Sequence, residues 1–304
     1  PFLRSEKRRA LNYRFVYHQV RFAMKIAGVS NPVFYIGCPP AYEVVRRFQR
    51  DMNRPVIYER TDIFEEMPGV DREYISHLDK EMAARSDLVL YVNRQLWKAG
   101  MDVNPRSLLV GHGVDYNKFS GVDRDKDIPG DIVNLPKPIV GFFGDISEKT
   151  SDLALLEHTV SSLPNISFVF VGGVSTDITR IKKYANVYFL GRKPYDDIPR
   201  YGKMFDIAIM PWNQNKWIDF CNPVKTKEYL ALGVPVVTMY YPEIEPYSDV
   251  VYVARDYEEF VSCIRRAAEE DDEEMRLKRR QRVEKETWEC KVQMIMENLD
   301  KDFD

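Results

Sequence analysis

The stretch DFCNPVKTKEYLALGVPVV, residues 219–237, joins a polar start to an apolar finish. Asn222 suits a helix N-cap, because its side chain can accept from a free backbone N–H. Pro223 suits the first helical position, where no N–H is needed. Gly233 suits the position just past the helix, where a left-handed residue ends it. A helix from Pro223 to Leu232 is therefore expected, with VPVVT as the next strand. The first turn of such a helix, at the carboxyl edge of a sheet, is an anion site. Lys225 lies in that turn, where its charge opposes the helix dipole, and a bound diphosphate would remove the conflict. Glu228, three residues on, shares its face. A carboxylate there can accept from two neighbouring hydroxyls, as a ribose presents them. The alternative is a surface helix with a solvated Lys–Glu pair. The Asn-Pro start and the strand that follows favour the site.

Outward from this stretch, short apolar runs alternate with helical patterns. The first half gives the strands PVFYIG, PVIYER, DLVLYVN and SLLVGHG, with helices such as YEVVRRFQRDM and REYISHLDKEMAARS between them. The second half gives PIVGFFGD, ISFVFVGG, NVYFLG, DIAIMPW, PVVTMY and VVYVAR, separated by DLALLEHTV, IPRYGKMF and VKTKEYLAL. Runs of this length between helices indicate parallel strands covered on both faces. Two doubly wound α/β domains follow, with ligand sites at the carboxyl ends of the strands. The stretch from 120 to 138, SGVDRDKDIPGDIVNLPKP, lacks periodicity and reads as the linker. The expected divisions are 1–128, 129–256 and a helical tail 257–304 that crosses back to the first domain.

Gross composition excludes several classes. With 44 basic and 47 acidic residues the net charge is −3, so nothing drives the chain generally toward nucleic acid. No apolar run approaches a membrane-spanning length, and no signal peptide is evident. Cys38, Cys221, Cys263 and Cys290 are far apart and form no metal-ligand pair, which fits a reducing, cytoplasmic setting.

NPVKTKEYLALGVPVV resembles the donor-site motif of GT-B glycosyltransferases, in particular glycosyltransferase family 4 and related bacterial polysaccharide enzymes such as the xanthan glucuronosyltransferase group. GFFGDISEKTSDLALLEHTV, NVYFLGRKPYDDIPRYGKMFDIAIMPW and LVGHGVDYNKF resemble further pieces of these enzymes in the same order, the match running from about Pro55 to Ala254. The resemblance implies a GT-B fold: two Rossmann-like domains facing a cleft, the first strand of the N-terminal domain preceding residue 1. It implies transfer of a sugar from a nucleotide-diphosphate donor, UDP or GDP type, to a saccharide or lipid-linked saccharide acceptor, with no metal and no cofactor beyond the donor. It gives Glu228 the ribose, Lys225 a donor phosphate, and Asn222, Pro223 and Val224 the start of the donor helix. The Gly141–Gly144 turn would admit the diphosphate or the sugar, Lys149 falls near a second phosphate-binding lysine, and Arg192 lies beside the base. Two positions depart from the family pattern. Phe220 stands where a sugar-facing glutamate is usual, and Asp145 where an arginine is expected after the glycine turn.

On the acceptor side, VIYERTDIFEEMPG places Asp62 just after a strand, where a carboxylate can act as a general base. Its alternative is turn or helix capping. Trp212, Asn215 and Trp217 follow DIAIMP and are candidates for sugar contacts, or for ordinary loop packing. YDD, 195–197, precedes a helix and reads as a cap. His77 reads as structural, and His18 and His112 carry no motif. The basic, aromatic stretch RSEKRRALNYRFVYHQVRFAMK can rest on the inner face of an anionic membrane as a peripheral contact; a partly buried helix with a solvated basic face is the plainer reading. The rival functions are an epimerase of the same fold and a non-catalytic sugar-nucleotide-binding subunit.

Overall fold

A computed structural model describes residues 5–299 apart from 124, 125 and 127. The chain divides into two compact units between Gly111 and His112.

The first unit runs α1 (Glu6–Ile26), β1 (Phe34–Ile36), α2 (Tyr42–Met52), β2 (Val56–Arg60), α3 (Arg72–Arg85), β3 (Leu88–Tyr91), α4 (Arg94–Gly100) and β4 (Ser107–Leu109). Its four strands lie in the order β1-β2-β3-β4 and are all parallel. Every residue of β3 is buried, as a strand covered on both faces requires. α2 turns Tyr42, Val44, Val45 and Phe48 inward and ends on Asn53 in the left-handed region. Asp71 and Asn93 cap α3 and α4 by accepting from backbone N–H groups of their first turns. α1 is only partly buried. Tyr13 and Tyr17 pack with Val44 and Phe48, whereas Leu11, Phe15, Phe22 and Ile26 are exposed.

The second unit contains α5 (Tyr116–Ser120), β5 (Ile139–Phe143), α6 (Leu153–Ser162), β6 (Ser167–Val171), α7 (Thr179–Lys182), β7 (Val187–Gly191), α8 (Ile198–Met204), β8 (Ile207–Met210), α9 (Lys216–Asp219), α10 (Val224–Leu232), β9 (Val236–Met239), β10 (Tyr252–Ala254), α11 (Tyr257–Glu269), α12 (Glu273–Val283) and α13 (Trp288–Leu299). The six parallel strands lie in the order β10-β9-β8-β5-β6-β7. The chain winds outward from β5 through β6 to β7, then returns to β8 on the other side of β5. Strand order therefore reverses between β5 and β8, and a crevice opens beyond their carboxyl ends. β5, β6, β8 and β9 are buried throughout, which explains why they read as unbroken apolar runs.

The division falls earlier than the expected boundary at 128. Phe119 and Ile132 are fully buried in the second unit's core, α5 packs on α10, and the Val114 N–H donates to the Glu286 carbonyl (2.9 Å). Composition marked Gly121, Asp123, Lys126, Gly130 and Asp131, which are exposed, and missed the two apolar residues, Phe119 and Ile132, that are buried on either side of them. The tail is likewise part of the second unit: α11 packs on β9, β10 and α6, and α12 packs on α10.

Close backbone approach at the crevice makes a stability prediction. Gly172 has φ +149°, and a Cβ there would lie 1.9 Å from the Gly144 carbonyl oxygen. Gly172→Ala combines a disfavoured backbone conformation with a backbone clash, so it should destabilise the protein by about 2–3 kcal/mol. A denaturant melt checks this, and an unchanged midpoint would contradict the close packing of the two turns.

Candidate functional site

The site is built where β5 ends. Gly144 has φ +137°, and its N–H donates to the Val171 carbonyl (2.9 Å), holding the turn against β6. A Cβ at Gly144 would lie 2.8 Å from the Lys225 amine, so glycine is what leaves room for that side chain. Gly141 has a different role from the one expected of it. It lies inside β5, and a Cβ there would run into the Phe205 ring at 2.2 Å. It is a packing glycine, and the turn is made by Gly144.

α10 starts one residue later than the sequence suggested. Pro223 has φ −71° and ψ 124°, so it occupies the N-cap position and Val224 is the first helical residue. Proline's ring fixes φ, which suits either position; the extended ψ decides between them. Asn222 therefore lies one residue outside the helix, and the N-cap residue, a proline, makes no side-chain cap bond. Gly233 ends the helix in the left-handed conformation (φ 78°), as expected. Two tethers fix the helix to the sheet. The Phe143 N–H donates to the Tyr229 hydroxyl (2.9 Å), and the Thr226 and Tyr241 hydroxyls are 2.8 Å apart.

Lys225 reaches Gly144, and its charge and that of Glu228, one turn on, act on each other. Burial pushes the Lys225 ammonium below its ordinary range, against the pull of Glu228. The Lys225 amine also stands 5.4 Å from the ring centroids of Phe142 and Trp212. Glu228 is 6% exposed and accepts from the Tyr195 hydroxyl (3.1 Å). Burial raises its carboxyl, while the Tyr195 bond and the Lys225 charge act the other way. A half-desolvated acid–base pair at a strand-end crevice is a group poised for a polar ligand.

Tyr195 was missed by sequence reasoning. The sequence reads YDD as a cap, yet Asp197 makes no cap bond and Asp196 pairs with Lys118 (2.7 Å). The contact with Glu228 spans 33 residues, so no local pattern announces it. Its available signal was its place three residues after Arg192 in the segment resembling a base-binding region. Arg192 itself is exposed at the end of β7, its guanidinium 3.9 Å from Asp145, whose other carboxylate oxygen accepts from the Ser175 hydroxyl (2.5 Å).

The remaining candidates lie in two knitted loops. The Lys149 ammonium sits 2.9 Å from the Trp217 ring centroid. Asn215 caps α9 by accepting from the Ile218 N–H (3.0 Å) and donates to the Lys149 carbonyl (2.9 Å). Asn213 bonds to Thr150 and Glu148, and Trp212 bridges Ser151. Asn215 is thus a structural tie, and Trp212 is buried with its indole N–H unpartnered. Asp62 is half-buried in the loop after β2, in the first unit. His112 contributes its carbonyl, which accepts from Lys227. Burial, with Lys227 and Lys291, pushes its imidazole down to about 4.

Residues 137–270 match the family model for Glycosyl transferases group 1. Among curated relatives, the candidate teichuronic acid biosynthesis glycosyltransferase TuaH of Bacillus subtilis (strain 168) is 25% identical over 241 residues, covering 74% of this chain and 59% of its own length. Among solved structures, sucrose-phosphate synthase from Thermosynechococcus elongatus aligns with a TM-score of 0.75 at 14% identity, covering 97% of this chain and 79% of the other. Anabaena Alr3699/HepE in complex with UDP and glucose aligns with a TM-score of 0.70 at 18% identity, covering 93% and 81%. The chain shares the GT-B fold of these neighbours, and its residues 137–270 are similar to the glycosyl transferases group 1 domain.

Proposed function

We propose that the chain transfers a sugar from a nucleotide-diphosphate donor to a saccharide or lipid-linked saccharide acceptor in polysaccharide synthesis. The observation that carries this reading is the seating of Lys225 against Gly144, in the first turn of a helix whose N-cap is a proline, with Glu228 one turn deeper. In this reading the first turn of α10 and the Lys225 ammonium hold the diphosphate, and no metal ion is assigned. Glu228, oriented by Tyr195, accepts from the ribose hydroxyls. The uridine class is favoured because HepE, a structural neighbour, binds UDP and UDP-glucose. A cell-surface polysaccharide is favoured because the name of TuaH refers to teichuronic acid biosynthesis. The chain spans about 59% of TuaH, so the whole activity is part of the proposal.

Two finer elements belong to the same reading. Asp62 takes the proton of the attacking acceptor hydroxyl. α1, basic and bearing exposed Leu11, Phe15, Phe22 and Ile26, rests on the cytoplasmic face of an anionic membrane, where a lipid-linked acceptor would be found. No helix among the described residues is long and apolar enough to cross a membrane.

Glu228→Ala should weaken UDP binding by about one to two orders of magnitude, the equivalent of roughly 1.5–3 kcal/mol. It should affect pyrophosphate, which lacks ribose, far less. Lys225→Ala should weaken both. Calorimetric titration of the two variants with UDP and pyrophosphate separates these effects, and parent-like binding by both would move the donor site elsewhere.

The pH dependence follows from the direction of each shift. A diphosphate raises the depressed Lys225 pKa, so binding takes up a proton and weakens as pH rises into the alkaline range. Glu228 must be ionised to accept from hydroxyls, and its free carboxyl is raised by burial, so UDP affinity also falls on the acid side. Titrations across pH should show both limbs for UDP, and in Glu228→Gln the acid limb should shrink to what protonation of the UDP terminal phosphate contributes.

Asp62→Asn should cut transfer by roughly two or more orders of magnitude while UDP still binds. Unchanged turnover would remove Asp62 from the mechanism. Product formed from the donor with no acceptor present would point instead to epimerisation.

A further inference from the structure

α10 carries a second lysine two residues past Lys225. Lys227 is only 2% exposed, and its ammonium lies 2.8 Å from Glu286, in the turn between α12 and α13. It also donates to the His112 carbonyl, in the segment by which the chain enters the second unit. Burial pushes the ammonium down, and Glu286 works against that shift. Burial opposes ionisation of Glu286 too, but Lys227 and Lys291 hold its carboxyl below the usual range. The same carboxylate accepts from the Tyr247 hydroxyl (2.9 Å).

The two segments that meet Lys227 are themselves joined. Val114 donates to the Glu286 carbonyl and forms a parallel bridge with Thr287. A Cβ at Gly113 would lie 2.7 Å from the Trp288 backbone, so these strands of chain touch with no side chain between them. One ammonium thus fastens α10 to the 112–114 segment and to the 286–288 turn.

A buried ion pair is a poor source of stability, because desolvation offsets the attraction, and an apolar pair of similar volume is often as stable. What such a pair does supply is a single geometry, since each buried charge must meet its partner. Lys225, Lys227 and Glu228 share one rigid turn of helix. Side-chain tips stand about 5–6 Å from a helix axis, so a 10° rotation moves them by about 1 Å. A displacement of that size at a polar ligand can cost about two orders of magnitude.

We infer that Lys227 is a positioning residue: held by Glu286 and the His112 carbonyl, it sets the rotation of α10 and so the orientation in which Lys225 and Glu228 meet the nucleotide. This rests on the donor-site reading of α10. The test compares Lys227→Met/Glu286→Gln, which removes both charges, and Lys227→Arg, which keeps the charge in another shape. Thermal melting and UDP titration are measured for each.

The double variant should melt within a few degrees of the parent yet bind UDP about tenfold more weakly. Adding Glu228→Ala should then cost less than it does in the parent, because a misaimed carboxylate has less to lose. Lys227→Arg should also bind UDP more weakly while staying folded. Parent-like affinity in either folded variant overturns the inference, as does a loss that simply adds to that of Glu228→Ala. Absence of UDP binding by the parent would overturn the donor-site reading along with it, whereas parent-like binding by the variants overturns this inference alone.

Discussion

The second unit is organised around a lysine in an unfavourable place. Lys225 is half-buried, in the first turn of a helix whose dipole is positive there, and its amine occupies space that any residue but glycine at 144 would fill. Both features cost stability. They persist because the surroundings leave no alternative. Tyr229 ties α10 to β5, Thr226 meets Tyr241, and three cations hold the far end of the helix: Lys203 and Arg280 at the Leu232 carbonyl, Arg279 at that of Gly233. Cations suit that end, where the dipole is negative. The strain therefore sits at one end of α10 and its compensation at the other.

How much of this the sequence disclosed depends on whether the cause was local. The inner strands β3, β5, β6, β8 and β9 were legible because strands covered on both faces become unbroken apolar runs. The span of α10 was legible to within one residue, since Gly233 and the Asn-Pro start are local signals. Pro223 moved the start because ψ, which proline does not fix, turned out extended. Long-range partners were invisible. Tyr195 and Glu228, or Lys227 and Glu286, lie too far apart in the chain for any periodicity to pair them. Gly141 and Gly144 looked alike in sequence, and only the fold shows that one admits a ring and the other an amine. Asp145 and Phe220, the two departures from the family pattern, belong to the same lesson. The structure gives Asp145 partners in Ser175 and the distant Arg192, which a motif comparison could not supply.

The neighbours at 14% and 18% identity share the fold across nearly the whole chain. Buried apolar runs tolerate exchange of one hydrophobic residue for another, provided volume and pattern are kept. Positions such as Gly172, where backbone meets backbone, tolerate far less. Sequence divergence of this kind is expected to spare the turns beside the crevice more than the strands beneath it.

The ammonium of Lys149 resting on the Trp217 ring has a practical side. A cation held against an indole perturbs the electronic states from which it emits light. The contact lies in loops stitched together by Asn213 and Asn215, close in sequence to α10. Anything that draws Lys149 off the ring changes the colour or brightness of that tryptophan. With Trp97, Trp212 and Trp288 replaced by phenylalanine, Trp217 would serve as an optical gauge of the 147–151 loop without an attached dye.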